Sequence, residues 1–151
     1  MGARGVRCAA AASVPAVAKK IPMVSYLSLG DKGGEPHLVA HECKQCGALY
    51  FDRRNACAHC SNRSFGTRDL ATTGVVRSFS IIHQAAPGVP VPYVSSVVDL
   101  DGGGSVKTKI LDCEPDPEHV QLGMKVKMTT FPAGTDDDGT EAVAFGFAPV
   151  A

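Results

Sequence analysis

This sequence predicts a mainly β protein in two parts, a small cysteine-knuckle module followed by a five-stranded domain. Two observations predict it. Four cysteines fall in two tight pairs, Cys43-Lys44-Gln45-Cys46 and Cys57-Ala58-His59-Cys60, with ten residues between the pairs. From Thr72 onward, apolar and polar residues alternate with period two, and turn residues separate the runs.

The cysteine module comes first. Each pair brings two thiolates to one side of a knuckle, and the intervening residues suffice for a hairpin that closes a tetrahedral four-sulfur site. Gly47 follows the first pair, where a knuckle needs a residue free to take positive φ. A redox dithiol accounts for one such pair but poorly for two at this spacing. Iron also suits four sulfurs, yet zinc is the commoner occupant of so compact a module. The expected cofactor is one structural Zn2+ on Cys43, Cys46, Cys57 and Cys60, in a rubredoxin-like zinc ribbon. A ribbon of about thirty residues buries little of its own, so metal binding is expected to supply its folding energy. His37 to His41 reads as the strand entering the first knuckle, Ala48 to Phe51 as the strand between knuckles, and Asp31-Lys32-Gly33-Gly34 as a turn before them.

Five strands follow. Val75, Phe79 and Ile81 mark the first, ending near His83. The loop Pro87-Gly88-Val89-Pro90-Val91-Pro92 leads to the second, Tyr93–Leu100, and Asp101-Gly102-Gly103-Gly104 turns into the third, Ser105–Leu111. Asp116-Pro117 places an N-cap acid before a proline, which predicts a single helical turn ended by Gly123. Lys125–Phe131 and Glu141–Phe147 are the last two strands. A short helix between the third and fourth of five strands is the order of an OB-fold barrel. A five-stranded sandwich fits the same pattern. The domains are therefore an extension over 1–22, the ribbon over 23–70, and the barrel over 71–151.

Net charge is zero, but residues 1–68 hold ten Lys/Arg against four Asp/Glu and residues 69–151 five against eleven. Part of the front's excess offsets the −2 of four thiolates around Zn2+. The remainder suits an acidic or phosphorylated partner. No segment approaches the ~20 apolar residues of a membrane span. The alanine-rich run Ala9 to Ala18 is broken by Ser13 and Pro15, so it reads as an extension rather than a secretory signal. Four of six cysteines used as metal ligands point to a reducing, cytoplasmic setting.

From Tyr26 to Phe147 the chain resembles the family of zinc-ribbon plus OB-fold proteins associated with acyl-CoA enzymes, long catalogued as a domain of unknown function. The residues that carry the resemblance are the run Cys43 to Phe51, Arg54 ahead of Cys57-Ala58-His59-Cys60, and Gly74-Val75-Val76. His83 with Ala86-Pro87-Gly88, Pro92-Tyr93-Val94, Val98 to Gly103, and Gly123-Met124-Lys125-Val126 complete it. The chain departs from the family at Ser105-Val106-Lys107-Thr108-Lys109, where an arginine-containing run is usual.

The resemblance implies an OB-fold barrel and a protein without catalytic machinery of its own. It implies a thiolase-like catalytic partner in a hetero-oligomer, with acyl-CoA at or near the interface. Benzoylsuccinyl-CoA thiolase in aromatic-hydrocarbon breakdown, or steroid side-chain degradation, are the pathways it suggests. For ligand or partner contact the expected residues are Arg53 and Arg54, whose guanidinium groups suit phosphate, with His83 and Tyr93 beside the long loop. Local neutralisation of the zinc site is the competing role for the arginines, and backbone bonding for His83. Cys113, between Asp112 and Glu114, is a poor nucleophile because those charges disfavour its thiolate. A nucleic-acid-binding module is the alternative function, since ribbons and OB-folds both serve that role. The acidic barrel and the absence of tryptophan count against it.

Overall fold

The computed structural model describes residues 19–30 and 33–150. Most of the expected extension, Cys8 included, and Asp31-Lys32 of the expected turn lie outside the described residues.

Ten strands and no helix make up the described residues. In the barrel, β6 (Thr73–Ile82) pairs antiparallel with β7 (Tyr93–Leu100) and with β9 (Lys125–Thr135). β7 pairs with β8 (Ser105–Ile110), and β9 with β10 (Glu141–Pro149). β10 then meets β8 in parallel at Phe147 and Ile110, which closes the ring. A closed ring ordered β6-β7-β8-β10-β9 is the OB-fold arrangement. It excludes the sandwich that the sequence pattern left open.

Alternation explains the strands. Along β7, Val94, Ser96, Val98 and Leu100 are buried while the residues between them are partly exposed. Val98 faces Val106 across the β7–β8 ladder, and Val94 faces Ile110. Phe147, wholly enclosed, is the largest of the fully buried side chains. Burying a side chain of that size contributes roughly 1.5–3 kcal/mol. Gly74 is dictated by crowding: a Cβ there would lie 2.3 Å from the Asp99 carbonyl oxygen across the ladder.

The single helical turn expected after Asp116 is present as one hydrogen-bonded turn, too short to form a helix. Its cap chemistry is present, with Asp116 Oδ1 accepting the Glu118 and His119 N–H groups, and Val120 N–H reaching the Asp116 carbonyl. The chain cannot continue helically because Gly123 N–H donates to Val76 of β6 at 2.7 Å and the Met124 carbonyl accepts from Val76 N–H. Pairing with the barrel wall wins over further helix.

Five shorter strands precede the barrel. β1 (Lys20–Pro22) adds in parallel to β10 at Glu141–Val143, so the last residues assigned to the extension are part of the sheet. In the ribbon, β3 (His37–Cys43) is central. β2 (Leu27–Ser28) and β4 (Leu49–Tyr50) pair with it, and β5 (Phe65–Asp69) runs antiparallel to it from Val39 to Cys43.

The ribbon is not left to metal alone. Leu27, Leu38, Ala40 and Leu70 join the same buried cluster as the barrel's Val76, Val98 and Phe147. Tyr26 reinforces the junction, stacking on Phe51 at 4.6 Å between ring centres and meeting Phe145 of β10 edge-on at 6.1 Å. Arg68 of β5 spans it as well, with one guanidinium nitrogen 3.3 Å from Glu42 and the other donating to the Gly102 carbonyl at 2.9 Å. Gly102, Gly103 and Gly104 of that β7–β8 turn all have positive φ, which suits glycine.

Candidate metal centre and adjoining cleft

The two knuckles are built alike. Gly47 N–H returns to the Cys43 carbonyl and Ser61 N–H to the Cys57 carbonyl, both at 2.9 Å. Cys43 N–H donates to Ala48 and Cys57 N–H to Asn62. Gly47 has φ 71° and Ser61 φ 61°, so the second knuckle places a serine where the first has glycine.

These turns bring the four sulfurs of Cys43, Cys46, Cys57 and Cys60 within 4.8 Å of one another. The Cys43–Cys60 separation is 3.6 Å and the Cys46–Cys57 separation 3.5 Å. A tetrahedral zinc with Zn–S bonds of about 2.3 Å needs sulfurs about 3.8 Å apart. The four cysteines fit one structural Zn2+, and all four would hold it.

Neighbouring groups favour thiolate. Tyr50 donates its hydroxyl to Cys57 Sγ at 3.3 Å and accepts the Ala58 N–H at 3.1 Å. That hydroxyl is the main reason the Cys57 thiol is held down to about 6. The Asn62 side-chain amide donates to Cys43 Sγ at 3.6 Å, and backbone N–H groups of the knuckle, Cys46's foremost, lower that thiol too. Crowding of like charge works the other way. Although the Asn62 backbone N–H lowers it, desolvation and the three neighbouring sulfurs push Cys60 up to about 12. A divalent cation resolves that conflict by letting all four ionise together.

Of the other expected site residues, Arg54 lies over the Tyr50 ring, 5.0 Å from its centre, against the zinc site. Arg53 is exposed beside it, and His83 is exposed just beyond the end of β6. Tyr93 opens β7 and lines a cleft of about 910 Å³ between the segment after β1, the loop after β6, and strands β7, β8, β9 and β10. Lys109 sits with its ammonium 4.4 Å from the centre of the Tyr93 ring. Arg53, Arg54 and His83 are not among the residues lining that cleft. The four cysteines thus come together with Arg54 beside them, and Tyr93 stands at a separate place. Sequence reasoning missed Tyr50 and Asn62 as partners of the sulfurs. Tyr50 lay inside the run that carried the resemblance, and Asn62 stands two residues beyond Cys60, so position was the available signal.

Other proteins share this architecture. Residues 31–66 match the model of the ChsH2 rubredoxin-like zinc ribbon domain, and residues 67–131 that of the ChsH2 C-terminal OB-fold domain. A DUF35 domain-containing scaffold protein of Methanocaldococcus jannaschii is 32% identical over 117 residues, covering 75% of this chain and 82% of the relative. The benzoylsuccinyl-CoA thiolase subunit BbsA of Geobacter metallireducens is 28% identical over 125 residues, 83% of each chain. Among solved structures, the Ltp2-ChsH2(DUF35) aldolase superposes with a TM-score of 0.61 at 27% identity, over 76% of this chain and 86% of the other. With the cysteine site, the closed barrel and these likenesses together, the chain belongs to the DUF35 family of ChsH2-type zinc-ribbon and OB-fold proteins.

Proposed function

We propose that this chain is a non-catalytic accessory subunit of an acyl-CoA thiolase or a related carbon–carbon bond enzyme. Family membership carries the reading: one relative is named a thiolase subunit, and a similar solved protein is an aldolase containing a ChsH2 (DUF35) chain. The partner would supply the nucleophile and base. Outside the knuckles, Cys113 is the one cysteine among the described residues. Its thiol is raised by burial and by the charges of Asp116 and Glu114, the reverse of what a nucleophile requires.

In this reading the ribbon is a rigid, zinc-fixed platform and the acyl-CoA lies at or near the subunit interface. Arg53 and Arg54, both exposed between the knuckles, face its phosphates. His83 and Tyr93, at the two ends of the loop joining β6 to β7, contact the partner. The pathway class is degradation of an aromatic hydrocarbon or a steroid, in a reducing cytoplasmic setting. No helix among the described residues is long and apolar enough to cross a membrane.

The test is a pull-down of the tagged full chain from its native cells, with mass spectrometry of what co-elutes. A thiolase-like or aldolase-like protein in stoichiometric amount is the expected result. Recovery of nucleic acid alone, or of nothing, overturns the proposal.

A further inference from the structure

Three features of the cleft have no part in the account above. The first is a strand edge. β8 is laddered to β7 from Ser105 to Ile110, but it meets β10 at one register position, Phe147 with Ile110. Over Ser105–Thr108 no strand among the described residues lies along its other edge, while β1 occupies β10 at Glu141–Val143. An open edge of this kind is a template for another strand. The second is the lining of the cleft beside it, where Tyr26, Phe131, Phe145, Met23 and Val89 present apolar surface. Met23 is 64% exposed and Val89 39%, although both are apolar. The third is charge. Lys107 and Lys109 stand on the same bank, and no carboxylate among the described residues is paired with either.

We infer that the cleft receives an extended peptide segment of the catalytic partner, added as a strand to the open edge of β8, with a carboxylate meeting Lys107 and Lys109. The inference rests on the accessory-subunit reading. Strand geometry sets the terms. Residues two apart lie on one face, so Lys107 and Lys109 present their charges together, and an added strand places alternate side chains beside them. Four residues of added strand, about 13 Å, cover the open edge. Main-chain bonds then fix the register, and the apolar cleft accepts the side chains between the acidic ones. Coenzyme A phosphates also suit two lysines, but they leave the strand edge without a partner. The chain's own first eighteen residues carry Arg4 and Arg7 and no acid, so their charge is the wrong sign for this bank.

Hydrogen exchange on the full chain, alone and in the co-purified complex, tests the inference. Amides of residues 105–108 that do not face β7 should exchange at least tenfold more slowly in the complex. The double variant Lys107→Glu/Lys109→Glu should keep its zinc and its melting profile yet recover at least tenfold less partner. A complex in which those amides exchange as fast as in the isolated chain overturns the docking inference and leaves the accessory-subunit reading standing. Undiminished recovery with the double variant overturns it as well. So does equal protection from coenzyme A alone, from a single-stranded oligonucleotide alone, or from self-association of the isolated chain. Absence of any complex overturns both readings.

Discussion

The barrel and the ribbon reach order by different means. In the barrel, Val98, Val126 and Phe147 are wholly enclosed, and apolar contact with ladder hydrogen bonds suffices. At the knuckles, Lys44, Gln45 and Cys46 are exposed, as are residues 52–56, and four sulfurs stand where a core would be. β3 passes from one regime to the other: Leu38 and Ala40 lie in the shared core, and Cys43 ends the strand among the sulfurs. The difference teaches that zinc is needed at the far end of the ribbon, while the near end is folded by the barrel.

Removing one thiolate gives the sharpest test of that division. Cys46→Ser should reduce bound zinc from one equivalent to none by atomic absorption, since apparent zinc-binding energies of such sites are roughly 10–16 kcal/mol. Amides of Gly47 and Ser61 should lose their exchange protection while those of β6, β7 and β9 keep theirs. A uniform loss of protection would erase the distinction between the regions.

Phe147→Ala attacks the other side. A cavity at a fully enclosed phenylalanine removes about 3–5 kcal/mol, read from urea unfolding. Because Leu27 and Leu38 share that cluster, zinc release and barrel unfolding should coincide in one transition. Two separated transitions would show that the ribbon holds its near end without the barrel.

How much of this was legible before the structure follows the same division. The ligand set was readable because two short pairs enforce it locally, and the barrel strands because alternation records which face is buried. β5 was not, since Phe65-Gly66-Thr67-Arg68-Asp69 has one large apolar residue and no alternation; its pairing with β3 and the bond from Lys44 N–H to the Ser64 carbonyl make it a strand. Nor was the contact of Tyr26 with Phe51 and Phe145, which joins residues far apart in sequence. The single turn after Asp116 was legible because its cap and its terminating Gly123 are local, whereas the bonds of Gly123 and Met124 to Val76 were not.

Smaller changes sharpen the comparison at the junction and at the knuckles. Arg68→Ala should cost on the order of 1 kcal/mol, because its pair with Glu42 is about two-fifths exposed. The expected signature is faster zinc transfer to a chelator with an unchanged barrel melting temperature. An equal fall in both would mean that Arg68 stabilises the whole molecule and not the junction. Ser61→Gly should slow the same transfer modestly. A left-handed residue other than glycine costs roughly 1–2 kcal/mol, of which glycine's extra chain entropy takes back about half. Unchanged kinetics would place the strain elsewhere.

The chain contains three tyrosines and no tryptophan. Tyr50 bonds a zinc-site sulfur, Tyr26 lies between the ribbon's Phe51 and the barrel's Phe145, and Tyr93 sits under Lys109 in the cleft. Burial, with help from Asp52, holds the Tyr26 phenol above its usual range, and the bond to Cys57 together with burial does the same for Tyr50. Fluorescence from these phenols is therefore free of indole emission. Three variants that each keep a single tyrosine turn the protein into its own set of optical reporters, one for metal, one for the seam, and one for whatever enters the cleft.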